Sequence, residues 1–324
     1  MDILNIAKSA KAAFLKTMNL DLETKNSALE NIIKNLQITQ DKILQANELD
    51  LKEAKKLLDN NEINHSAYER LKLNKNKIEG LIKGLEDLIK LENPVNNVLW
   101  QKELDEGLIL KKVSTPIGVI GIIFEARPDC YIQIASLVIK SGNCAILKGG
   151  KEAKNTNKIM AEIVSDALAK TKGFPQNSVN IVYERDDIKK MLSLDDYIDL
   201  IIPRGSNNLV KYIKENTRIP VLGHSSGICH IFIDESADFE NTKNIIIDAK
   251  VQYPSACNSV ETLLIHRNYQ HINKLKEALT NADIKMIEKP ENYSIEYGDK
   301  ILNIKIVENI DEAIEHINKY GSGH

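Results

Sequence analysis

Aromatic residues make up only 5% of this sequence, and no apolar run approaches the length that crosses a bilayer. The first scarcity argues against a base-stacking surface for single-stranded nucleic acid. The second excludes a spanning helix, since the longest apolar run, residues 117–124, has the length of one buried strand. Charge of one sign is lacking too. A formal net charge of −3 offers nothing that would seek nucleic acid or an anionic membrane. There are four cysteines, no C-x-x-C pair among them, and no second metal-type ligand at finger spacing, so a structural metal is not expected. The Gly-x-Gly-x-x-Gly dinucleotide fingerprint is also missing. Met1-Asp2-Ile3-Leu4-Asn5 lacks the charged-then-apolar plan of a secretory signal. The composition is ordinarily globular, 43% hydrophobic and 27% charged, and 324 residues suffice to fill two cores; a cytoplasmic location with reduced cysteines is expected.

The first ninety-odd residues read as helices. Apolar positions recur at helical spacing in Ile3, Ile6, Ala7 and Ala10, and in Leu29, Ile32, Ile33 and Leu36. Lys- and Asn-rich stretches such as Asn74-Lys75-Asn76-Lys77 read as solvated faces. Two short extended runs, 98–104 and 108–113, flank Asp105-Glu106-Gly107 and read as a hairpin. Such a hairpin is marginal alone and is expected to lie against another part of the fold or another subunit.

From Gly118 strand and helix alternate. Strands are expected at 118–124, 144–147, 179–183 and 198–202, with Val221-Leu222 and 229–233 continuing the series and helices between them. That order predicts a parallel, doubly wound sheet. A second set, with strands at 262–265, 284–287 and 302–307 and helices at 268–279 and 310–317, predicts a second α/β domain beginning near Gln252. The close at Gly321-Ser322-Gly323-His324, with no final strand, is expected of a chain shorter than a complete fold of its type.

Cys144 and Cys229 lie in apolar strand runs, where buried thiols are inert. Cys130 lies at a helix start without other chemical cues. Cys257 differs. It sits in Tyr253-Pro254-Ser255-Ala256-Cys257-Asn258-Ser259, a polar loop at the expected domain boundary, where ligands and catalytic groups collect. Two turns that follow strands and precede helices, Leu147-Lys148-Gly149-Gly150-Lys151 and Pro203-Arg204-Gly205-Ser206-Asn207, suit a phosphorylated ligand.

Five segments in order then carry a resemblance. They are Pro116-Ile117-Gly118-Val119-Ile120-Gly121, Phe124-Glu125-Ala126-Arg127-Pro128, Lys148-Gly149-Gly150-Lys151-Glu152-Ala153, Pro203-Arg204-Gly205-Ser206 and the Cys257 loop. Together they resemble the gamma-glutamyl phosphate reductase family of the aldehyde dehydrogenase superfamily. The resemblance implies an aldehyde dehydrogenase-like α/β fold. An NADP-binding domain with a helical N-terminus would span 1–251, and the hairpin at 96–114 would serve oligomerisation. A catalytic domain would occupy 252–324. It implies reduction of L-glutamyl 5-phosphate to L-glutamate 5-semialdehyde by NADPH, the second step of proline biosynthesis, with Cys257 as nucleophile and thioester carrier.

The same resemblance assigns further roles. Arg127 falls where the superfamily places an oxyanion asparagine, and a guanidinium there suits a phosphate leaving group. Asn258 is implied to contact substrate. Val221 replaces the glutamate that activates water in aldehyde-oxidising relatives, and His224 nearby has either a substrate or a structural role. For NADP(H), Lys148 matches a ribose-binding position, Lys151 would meet the 2′-phosphate, Gly205 and Ser206 would contact phosphate, and Glu296 would hold the nicotinamide ribose. A homo-oligomer, dimer or tetramer, is implied, as is transient contact with glutamate 5-kinase. The alternatives are an aldehyde-oxidising dehydrogenase of the same superfamily and an inactive fragment.

Overall fold

The computed structural model describes residues 2–324 except Asn61, Asn64, Ala126, Arg185, Ser206, His224 and Ser225. It divides into two compact units, Met1–Gly223 and His224–His324.

The N-terminal unit opens with helices α1 (Ile3–Thr17), α2 (Leu22–Asp59), α3 (His65–Leu71) and α4 (Lys75–Lys90). Asp21 caps α2 by accepting from the Thr24 amide at 2.7 Å. Strands β1 (Val98–Asp105) and β2 (Leu108–Val113) form the expected antiparallel hairpin, exposed along its whole length. There follow β3 (Val119–Phe124), α5 (Cys130–Lys140), β4 (Cys144–Lys148), α6 (Lys154–Lys170), β5 (Val179–Val182), α7 (Asp186–Met191), β6 (Leu200–Arg204) and α8 (Asn207–Glu215). The strands form a parallel sheet in the order β5-β4-β3-β6.

Why β3 reads as a continuous apolar run is visible in its packing. Ile120, Ile122 and Phe124 point into the cluster made with α2, α4, α5 and α6, while Val119 and Ile123 join α1 and Ile201 on the opposite side. A strand with helices on both faces has no polar side to show.

The C-terminal unit contains β7 (Cys229–Ile233), α9 (Phe239–Val251), β8 (Val260–His266), α10 (Ile272–Asn281), β9 (Lys285–Ile287), β10 (Ile301–Val307) and α11 (Ile310–Tyr320). Its parallel sheet runs β7-β8-β10-β9. Two sequence expectations are corrected here. Val221 makes only an isolated bridge to Ile201, and 229–233 does not extend the first sheet. It pairs with β8, so it and α9 belong to the second unit, and the units divide after Gly223 instead of near Gln252. Among the described residues no helix is long and apolar enough to cross a membrane.

Candidate active site

In the C-terminal unit the segment between α9 and β8 carries Cys257, whose side chain is exposed, as is Asn258 beside it. The loop is tied at both ends. The Ala256 amide donates to Tyr253 O at 3.0 Å, the Ser259 amide to Ala256 O at 2.9 Å, and Ser259 Oγ to Ala249 O at 3.2 Å. Below it lies a buried ion pair, Lys250 Nζ to Glu261 Oε2 at 3.1 Å. Glu261 Oε1 also accepts from the Gly298 amide at 3.4 Å. Burial pushes the Glu261 carboxyl up, and Lys250 pulls it back down. The pair joins the last turn of α9 to the first residues of β8, and so closes the base of the cysteine loop.

The backbone at Gly227 runs against this loop. A β-carbon there would stand 1.9 Å from the Cys257 carbonyl oxygen, so only glycine fits. The Gly227 amide donates to Glu296 Oε2 at 3.1 Å. Glu296 is thus brought beside the cysteine loop through one backbone contact. Cys229, read from sequence as a buried strand residue, is only partly covered, and its thiol donates to Cys257 O at 3.5 Å. Burial raises its pKa, which keeps it a thiol.

The N-terminal unit holds the remaining predicted residues at the carboxyl ends of its strands. Lys148 closes β4, is buried, and donates from Nζ to Gly149 O at 2.7 Å. Burial lowers its pKa, and four surrounding acids oppose that. Lys151 is exposed in the following turn. The amides of Asn155 and Thr156, at the start of α6, are already taken by the buried carboxylate of Asp50 at 3.0 and 2.8 Å. That helix start is therefore neutralised from within, and what the Gly149-Gly150 turn offers a ligand is its shape and its lysines. Asn157 Oδ1, next to Gly149, is buried without a hydrogen-bond partner among the described residues. An acceptor-bearing turn with two lysines fits the hydroxyls and phosphate of a nucleotide. Gly205 follows β6 with Glu125 and Leu209 against it. Ser206 and His224 lie outside the described residues. Arg127 is half-exposed and stands 3.8 Å from Asp129.

Sequence reading missed Gly227, Lys250 and Glu261. Glu261 did leave a signal, an acid inside the otherwise apolar strand run that follows Cys257. Gly227 left none, because its constraint comes from a segment thirty residues away.

Two parallel α/β units, one ending in glycine turns and the other carrying an exposed loop cysteine, match the aldehyde dehydrogenase family over residues 1–323. A gamma-glutamyl phosphate reductase of Brachyspira hyodysenteriae is 50% identical over 340 residues, covering 100% of this chain and 79% of that one. The enzyme of the same name from Methanococcoides burtonii is 42% identical, covering 100% and 77%. The crystal structure of gamma-glutamyl phosphate reductase from Thermotoga maritima superposes with a TM-score of 0.94 at 35% identity, covering 100% of this chain and 81% of that one. The chain belongs to the aldehyde dehydrogenase family and, within it, to the gamma-glutamyl phosphate reductases.

Proposed function

We propose that the chain reduces L-glutamyl 5-phosphate to L-glutamate 5-semialdehyde, releasing phosphate, in proline biosynthesis. The observation that carries the chemistry is Cys257, exposed on a loop pinned by a buried ion pair and by the close approach of Gly227.

In this reading the Cys257 thiolate attacks the acyl carbon of the mixed anhydride. The C–O bond to phosphate breaks, and the acyl group is held as a thioester. The Cys257 backbone amide is the oxyanion donor. Asn258 and Arg127 bind substrate. A nicotinamide cofactor supplies the hydride when bound. Lys148 holds its adenosine ribose, Lys151 favours the 2′-phosphate of NADP(H), Gly205 and Ser206 receive its diphosphate, and Glu296 orients the nicotinamide ribose. Val221, in place of an acid, supplies no base to activate water, so the thioester goes to reduction and not hydrolysis. The exposed hairpin supports a homo-oligomer. Four unpaired cysteines suit the reducing cytoplasm.

The reverse reaction tests this directly. Supplied with glutamate 5-semialdehyde, NADP+ and phosphate, the chain is expected to form NADPH only when phosphate is present. Equal turnover without phosphate would place it among the aldehyde-oxidising members.

A further inference from the structure

Within the N-terminal unit, between α4 and the start of α5, lies a shallow cavity of about 270 Å³. Arg70, Lys77 and Arg127 line it, with Leu81, Asp129 and Gln133. Three cations and one carboxylate share its lining. Arg70 Nε is buried without a hydrogen-bond partner among the described residues, a state that leaves a charged donor short of an acceptor. Lys77 is tethered, donating one proton from Nζ to Lys72 O at 2.5 Å. Arg127 and Asp129 stand 3.8 Å apart, too far for the bidentate fork that would satisfy both.

This pattern selects its ligand. A bare phosphate is poorly served by a site that includes a carboxylate. An α-amino acid head group carries both signs on adjacent atoms, with its carboxylate suited to guanidinium and ammonium and its ammonium suited to Asp129. The volume falls just below the roughly 300–1,000 Å³ of whole small-ligand sites, and so suits one end of a substrate.

We propose that this cavity is the subsite for the α-amino and α-carboxylate groups of the glutamyl substrate. Arg70 and Lys77 join Arg127 on the carboxylate, and Asp129 takes the ammonium. The assignment rests on the substrate named above, and it turns Arg127 toward the head group and away from the leaving phosphate.

The test uses the full chain in the reverse reaction, with R70M, K77M, D129N and the charge-conserving K77R. Loss of one charged contact is expected to raise KM for the semialdehyde about tenfold, with KM for NADP+ unchanged and K77R close to wild type. A parallel rise in both KM values, or no rise in either, overturns the proposal. Calorimetric binding of L-glutamate gives a second readout. Wild type is expected to bind and R70M to lose binding, and equal binding by both overturns the subsite. Because glutamate binding needs no turnover, a wild-type chain that binds glutamate but makes no NADPH would contradict the reductase reading and leave the subsite supported.

Discussion

In the N-terminal unit the buried carboxylate of Asp50 is met by backbone amides at a helix start; in the C-terminal unit the buried carboxylate of Glu261 is met by the ammonium of Lys250. The segments that follow or precede the strands of the two sheets differ as well. Glycine turns finish β4 and β6, where the proposed nucleotide would meet backbone. The exposed thiol of Cys257, the proposed nucleophile, precedes β8 on a loop tied beneath by that pair. Room for a ligand is provided by removing β-carbons, whereas a fixed reactive atom requires ties beneath it.

The largest effect comes from breaking those ties. K250M or E261A leaves one buried charge unpaired, and urea unfolding is expected to show a loss of about 3–5 kcal/mol. The double variant K250M/E261L removes both charges and should recover most of it. If either single variant is as stable as the parent, the pair does not hold the loop.

A second difference is titratable. His316 is buried in the C-terminal unit beside His230, Tyr293 and Tyr320, with Lys305 Nζ 3.5 Å from its Nδ1. Burial and, next, Lys305 lower its pKa from 6.5 to about 4, with His230 and Lys319 adding to the fall and Glu312 opposing it. The unfolded chain therefore binds the proton more readily than the folded one. The stabilisation is complete above pH 6.5 and is lost as pH falls toward 4, amounting to about 3 kcal/mol. Replacement by Phe should flatten that part of the stability profile; an unchanged slope would assign it to other groups.

The smallest effect sharpens the contrast between turns. The atoms nearest a β-carbon at Gly150 would be the carboxylate end of a side chain, Glu152, at 2.0 Å; at Gly227 they are backbone. G150A should therefore change stability by less than about 0.5 kcal/mol, while G227A should cost about 1–3 kcal/mol and slow alkylation or turnover at Cys257. Equal effects would remove the distinction.

Much of this was legible in the sequence. The apolar run of β3 declared a strand covered on both faces, and the hairpin at β1 and β2 followed from Asp105-Glu106-Gly107. The sheet to which 229–233 belongs was not legible, because strand order along a chain does not say which neighbour a strand pairs with. Cys257 stood out as a thiol among turn formers. The residues that hold it did not, since Lys250 and Glu261 are eleven positions apart with no periodicity linking them. Arg70 and Lys77 were hidden for a like reason: on an amphipathic helix a cation facing a cavity has the same spacing as one facing solvent.

Cys257 is proposed to carry the acyl group. The decisive measurement is phosphate-dependent NADPH formation from glutamate 5-semialdehyde by C257S, with NADP+ binding measured on the same sample. C257S is expected to bind the cofactor as the parent does and to show no turnover; turnover near the parent rate would rule out Cys257 as the acyl carrier.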